Sequence, residues 1–253
     1  MAIKRPRPAS IERLRQLEIE QARSIQRAMV PEEPLRAHPI EFICKLRPVV
    51  EVGGDFLDYF WLADRRLGFY LGDVVGKGLP AALYAALAVG TFRGIHKTGA
   101  APTSVLELLN ERLRMRVVPG RFCAVQYAVF DPPSGELWYA NAGLPLPLHI
   151  SAAGCRQLGE GGWPSGLFED ARYIQHSVRL APGDAVLFAT DGLLEARNAD
   201  GEEFGVERLM EVCAQNRNES AEVLLSSIFH AVDAFVVDAR QHDDMTAAIL
   251  KLA

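Results

Sequence analysis

The sequence predicts an α+β domain in which helices cover two antiparallel sheets. Two observations carry this. Strand-like and helix-like runs are segregated along the chain with few strand–helix–strand alternations, a pattern of layered antiparallel sheets and not of a parallel one. The 253 residues are 49% hydrophobic and 23% charged, enough apolar material for a sizeable core in a globular chain.

Taken in order, Ser10 can cap a helix through IERLRQLEIEQARSIQRAMV, and Pro31 stops it because proline disfavours helix in the residue before it. Ile11, Leu14, Leu17, Ala22, Ile25 and Met29 form its apolar stripe. The helix either packs on its own domain or serves as a linker or dimer helix, and both readings stand. After the turn region PEEPLRAHP, the segments IEFICKLRPV, DFLDYFWLA and LGFYLGDVV read as strands. Two helices follow, LPAALYAALAVGTFRGIHK and Pro102 to about Val118. Then RFCAVQYAVFD, ELWYANAG, LPLHI, YIQHSVRL and DAVLFATD, divided by the turns PPSG, SAAG and APGD, read as a meander of antiparallel strands. A short helix near Val206–Ala214, a helix in SAEVLLSSIFHAVDAFVVDA and a last strand MTAAILKL complete the chain.

Several function classes are disfavoured. A net charge of −5 with scattered arginines offers no field for nucleic acid. Cys44, Cys123, Cys155 and Cys213 contain no CxxC pair and read as reduced cytosolic thiols. The basic N-terminus has no apolar core behind it, and the apolar run Leu79 to Phe92 is short for a bilayer, so a cytoplasmic protein without a membrane span is expected. There is no GxSxG elbow, HExxH helix or CxxxxxR loop, and GDVVGKG lacks the spacing of a Walker loop.

Three aspartates sit at predicted strand ends: Asp73 closes LGFYLGD, Asp191 closes DAVLFATD, and Asp243 precedes DMTAAILKL. Antiparallel neighbours bring the end of one strand beside the start of the next, so one sheet edge can collect all three. Gathered carboxylates raise one another's pKa unless a cation lies between them, and oxygen donors without clustered His or Cys suit a hard cation such as Mg²⁺ or Mn²⁺. Taken singly, each aspartate reads better as a turn residue.

The ordered set GGDFLDYF, GDVVGKG, NAGLPLPL, TDGLLEARNADGEEFGVERL and HDDMT resembles the SpoIIE/RsbU-type branch of the PPM metal-dependent protein phosphatases, from about Ile25 to the C-terminus. The resemblance implies an αββα sandwich over 31–253, preceded by a basic tail and linker or dimerisation helix over 1–30. It implies two divalent cations, Mn²⁺ or Mg²⁺, bridged by Asp73. The Val74 carbonyl would serve one of them, Asp191 and Asp243 would complete the other site, and Asp55 would act near the carbonyl-bound metal, through a water. Asp58 and Asp244 would stand behind these ligands, and Lys77 would either meet substrate phosphate or be a solvated turn lysine. His242 is a candidate general acid for the leaving serine. Two positions depart from the pattern: Leu144 where many relatives have histidine, and Val75 where serine is frequent.

The implied chemistry is hydrolysis of phosphoserine or phosphothreonine by a water activated between the two metals, without a phosphoenzyme. The implied substrate is a phosphorylated STAS-domain anti-anti-sigma protein in a partner-switching pathway, with an upstream sensor or activator and a homodimer formed through the N-terminal helix. The competing readings are a catalytically silent phosphoprotein-binding module and a hydrolase of a small phosphate ester.

Overall fold

The computed structural model describes residues 8–31, 33–95, 99–237 and 239–253, with side chains from residue 12 onward. The tail before Pro8, the side chain of Ile11, and His96 and Lys97 at the end of the second predicted helix lie outside the described residues. The elements are α1 (Pro8–Arg27), β1 (Leu35–Ala37), β2 (Ile40–Arg47), β3 (Phe56–Trp61), β4 (Leu67–Val74), α2 (Gly78–Ile95), α3 (Pro102–Arg114), β5 (Cys123–Asp131), β6 (Glu136–Ala142), β7 (Leu148–Ser151), β8 (Gly154–Gln157), β9 (Gln175–Arg179), β10 (Ala185–Ala189), α4 (Asp191–Leu194), α5 (Gly205–Gln215), α6 (Ala221–Val236) and β11 (Met245–Leu252).

The strands form two antiparallel sheets, ordered β1-β2-β11-β10-β7-β8 and β3-β4-β5-β6-β9. Three cores hold four layers together. Phe42, Leu57, Phe69, Phe130, Phe188 and Leu250 meet between the sheets. Tyr70, Tyr84, Phe92, Leu109 and Tyr127 fill the space between the second sheet and the helices α2 and α3. Leu187, Leu209, Leu224, Ile228 and Ile249 pack α5 and α6 on the first sheet. Each fully buried Leu, Ile or Phe contributes about 1.5–3 kcal/mol of transfer free energy, so the sandwich is held chiefly by these layers. The αββα architecture follows from strands whose two faces are both apolar: β4 buries Leu67, Phe69 and Leu71 on one side and Tyr70 on the other.

Local chemistry sets the helix ends. Ser220 caps α6, its hydroxyl accepting from the Val223 N–H at 3.3 Å, and Pro102 opens α3 where its missing N–H costs nothing. α1 is described from Pro8, the side chain of Ser10 and with it the expected cap lie outside the described residues, and the helix ends at Arg27, three residues before the expected stop. α3 likewise ends at Arg114 and not near Val118. Leu14, Leu17 and Ile25 of α1 are 57%, 47% and 65% exposed, so the predicted stripe is largely uncovered by the rest of the chain. α2 is long and apolar enough to cross a membrane by length and composition, but Ala81, Tyr84, Ala88 and Phe92 bury one of its faces in the core.

One expectation needs correcting. The run from β5 to β10 is not a meander. After the β5–β6 pair the chain crosses to the first sheet for β7–β8, returns so that β9 pairs with β6, and crosses again to β10, which lies between β7 and β11. Alternating burial looks the same in either sheet, so the sequence pattern could not assign strands between them.

Candidate metal centre

The register of both sheets gathers the motif aspartates at one rim. Phe56 pairs with Gly72, which places Asp55 beside Asp73 at the mouth of β3 and β4. In the other sheet Ala189 pairs with Ala247, and the Thr190 N–H donates to the Thr246 carbonyl at 2.9 Å, so Asp191 after β10 faces Asp243 and Asp244 before β11. The two halves are joined through threonines: Thr190 Oγ1 and Thr246 Oγ1 both donate to Asp55 Oδ2, at 2.9 and 2.5 Å. Asp55, 1% exposed, is thus held by the opposite sheet, while its Oδ1 is buried without any hydrogen-bond partner.

Glycines make the approach possible. A methyl group on Gly54 would stand 2.7 Å from the Val74 carbonyl oxygen and 3.2 Å from Asp73 Oδ1, so these two oxygens border one small space. A methyl on Gly192 would stand 1.9 Å from the Asp244 carbonyl oxygen and 3.2 Å from the Asp243 Cβ, so the TDG turn sits directly on the HDD segment.

The electrostatics record the crowding. Burial, then the charge of Asp191, then those of Asp243 and Asp244 push Asp73 up to about 7. Burial, then Asp73 and Asp244, hold Asp55 well above the usual carboxylate range despite the two threonine hydroxyls. Burial and Asp243 raise Asp191 as well. Carboxyls that keep their protons this way are short of positive charge.

The other predicted residues have different surroundings. Asp243 Oδ2 pairs with Lys77 Nζ at 3.1 Å, and Lys77 also donates to the His242 carbonyl. Asp244 is fully engaged by backbone: its Oδ1 accepts from the Val49 N–H and its Oδ2 from the Gly54 N–H, both at 2.7 Å. His242 Nε2 has no hydrogen-bond partner. Asp58 is not brought to this rim. It lies three residues from Asp55 in an extended segment, hence on the opposite face, where Arg93 of α2 donates to it from Nε and Nη2 at 3.0 and 2.9 Å. Leu144 is 4% exposed and packs between the sheets, and the NAGLP loop is closed by Asn141, whose side chain bonds the Leu144 N–H and carbonyl at 2.9 Å each.

Among the described residues no group of three or more His, Cys, Asp or Glu side chains forms a ready-made metal cluster. The donors still fit a hard cation in kind: all are oxygens, Val74 O and Asp73 Oδ1 share a space, and a buried carboxylate oxygen of Asp55 lacks a partner.

Sequence reasoning missed Thr190, Thr246 and Gln26. The threonines flank the motif aspartates in ATDG and DDMT, and a hydroxyl within an otherwise apolar strand end was the available signal. Gln26 offers none. Its side-chain amide, 9% exposed, pairs with both backbone groups of Gly53, Nε2 donating to the carbonyl at 2.8 Å and Oε1 accepting from the N–H at 3.1 Å.

Two antiparallel sheets between layers of helices are the fold of PP2C domains. The chain superposes on the SiaA PP2C domain of Pseudomonas aeruginosa with a TM-score of 0.86 at 21% identity, over 98% of this chain and 100% of that one. It also superposes on RsbX, solved in complex with magnesium, with a TM-score of 0.67 at 15% identity, over 87% and 99%. Residues 63–253 match the family model of Stage II sporulation protein E, and the chain belongs to this SpoIIE family. With the family comes the class of activity, that of a protein phosphatase. Phosphoserine phosphatase RsbU of Bacillus subtilis is 26% identical over 92% of this chain and 70% of its own length. The chain spans less than half of two further curated relatives, IcfG of Synechocystis and RsbP of B. subtilis.

Proposed function

We propose that this protein hydrolyses phosphoserine or phosphothreonine on a small regulatory protein, a STAS-domain anti-anti-sigma factor in a partner-switching pathway. The observation that carries the catalytic part is the rim itself: a buried Asp55 oxygen without a partner beside Asp73 and the Val74 carbonyl, with Asp191 and Asp243 facing them. The substrate rests on likeness to RsbU, a phosphoserine phosphatase by name.

Asp73, the Val74 carbonyl, Asp191 and Asp243 are the residues that would hold two divalent cations, Mn²⁺ or Mg²⁺, with Asp55 behind the Val74 side. Bound there, such cations supply a water that ionises near neutral pH and positive charge for the phosphoryl oxygens. The chain's own part is positional. Thr190 and Thr246 lock Asp55 across the sheets, and Asp244 gathers the Val49 and Gly54 amides so that the GGD loop keeps one shape. For Asp243 to turn to a cation, Lys77 gives up its ion pair with it. The exposed Leu14, Leu17 and Ile25 suit a homodimer through α1, and an upstream sensor or activator would act through the same helix.

The test is phosphate release from a phosphorylated STAS-domain protein with Mn²⁺, with Mg²⁺ and with chelator. Metal-dependent turnover is expected. Tight binding without turnover points instead to a binding module, and faster turnover of a small ester than of any phosphoprotein removes the protein substrate. Light scattering of the whole chain and of a Leu14→Glu, Leu17→Glu variant tests the dimer, which the variant should lose.

A further inference from the structure

The turn after β4 carries a second cation that the motifs did not single out. β5 starts at Cys123, opposite Val74, and the residues before it fold over the turn: the Val75 N–H donates to the Phe122 carbonyl at 3.1 Å, and Arg121 Nη1 donates to the Val75 carbonyl. The guanidinium lies against Gly76, whose φ is +97°, and a methyl there would stand 2.2 Å from Nη1. Glycine at 76 therefore serves both the left-handed backbone and the slot that Arg121 fills. Anchored through Nη1, Arg121 has no other hydrogen bond or ion pair among the described residues, so most of its five N–H donors remain available. Lys77, on the same turn, donates to the His242 carbonyl, and it pairs with Asp243 only as long as no cation takes that carboxylate.

From this geometry we propose that Arg121 binds the phosphoryl oxygens of the substrate, a role that rests on the phosphatase reading above. Asp55, Asp73, Asp191, Asp243 and Asp244 carry up to five negative charges, and the four positive charges of two divalent cations do not exceed them. A phosphomonoester arrives near neutral pH with close to two more. Arg121, a half-buried residue whose guanidinium is fixed on the Val75 carbonyl, next in the chain to Val74, supplies positive charge from the same turn. Its planar fork also fixes the orientation of two phosphoryl oxygens at once, which a lysine does not.

The experiment titrates inorganic phosphate into the full-length, Mn²⁺-loaded protein by calorimetry, for the wild type, Arg121→Ala and Arg121→Lys. Melting temperature and Mn²⁺ affinity are measured on each. Arg121→Ala should weaken phosphate binding about ten- to a hundredfold, the loss of one or two charged hydrogen bonds, with Mn²⁺ affinity unchanged. Arg121→Lys should recover part of it. The idea is overturned if the wild type does not bind phosphate, if phosphate affinity is the same in all three, or if Mn²⁺ affinity falls in step with it, which is what a mere brace for the turn would do. If Arg121→Ala does not fold, Arg121→Lys and Arg121→Gln decide in its place. Because phosphate binding needs no turnover, a protein with no activity on phosphoproteins but Arg121-dependent phosphate binding sinks the phosphatase reading and keeps Arg121 as a phosphate-binding residue. Turnover with Arg121-independent binding does the reverse.

Discussion

Strand β10 has an aspartate at each end. Asp184, just before it, shares a hydrogen bond of 3.0 Å with His149 Nε2 and accepts from the Ala181 N–H at 3.1 Å. Asp191, just after it, faces Asp243, and burial together with that charge pushes its pKa up. Both are at least partly buried and both mark the end of an apolar run. At one end the fold has supplied a carboxylate with partners; at the other it has collected carboxylates against one another. A strand-end aspartate alone therefore says nothing of function, and the informative feature is a carboxylate whose nearest charged neighbours have its own sign.

Substitution at the two rims should separate catalysis from folding. Asp73→Asn should lower kcat/KM for a phosphoprotein by about a thousandfold or more, since the cation charge on the phosphoryl group is worth several kcal/mol. Its melting temperature should hold or rise, because one of the repelling charges is gone. Asp184→Ala should do the opposite: turnover unchanged, and stability lower by about 1–3 kcal/mol as the His149 ring and the Ala181 amide lose their acceptor. Denaturant melts and phosphate-release rates on both variants check this. Equal loss of activity in the two would erase the distinction between the rims.

Much of the carboxylate rim was legible because Asp73, Asp191 and Asp243 interrupt apolar runs, and antiparallel pairing makes the ends of such runs neighbours. Asp58 was legible too, had the strand period been applied: an odd spacing from Asp55 in an extended segment puts it on the other face, against Arg93. The assignment of β7 and β8 to the first sheet and β9 to the second was hidden, since burial alternates identically in both. Gln26 was hidden for another reason. Its partner is backbone, 27 residues away, and polar residues on a helix ordinarily face water.

The difference between the rims also predicts how stability responds to pH. Asp73 keeps its proton up to about 7 in the fold against an ordinary value of 3.8. A folded state that binds the proton more tightly than the unfolded chain loses stability as pH rises through that window, and is indifferent to this group above it. Asp55 and Asp191 shift in the same direction and add to the slope. In chelator, the melting temperature of the wild type should therefore fall between about pH 4 and about pH 7 more steeply than that of Asp73→Asn. Saturating Mn²⁺ should restore several degrees at the upper end, because binding removes the repulsion and releases protons. Parallel slopes for the two proteins would mean that Asp73 is not under the strain its neighbours imply.

Gln26 lies between the two cases, a polar side chain with satisfied partners that nevertheless borders the crowded rim. Its amide holds both backbone groups of Gly53, and the next two residues bear the Gly54 amide that Asp244 accepts and the Asp55 carboxylate itself. Gln26→Ala leaves a buried N–H and a buried carbonyl without partners, and should cost about 1 kcal/mol of stability. If the clamp also sets the GGD loop, Mn²⁺ affinity should drop about tenfold, the usual size of effect for a group that orients a ligand. Gln26→Glu keeps the acceptor for the Gly53 N–H but sets a carboxylate against its carbonyl, so it should lose at least as much. Calorimetric Mn²⁺ titration decides: stability loss with unchanged affinity makes Gln26 a fold residue like Asp184, whereas loss of both ties α1 to the metal centre through a single pair of hydrogen bonds.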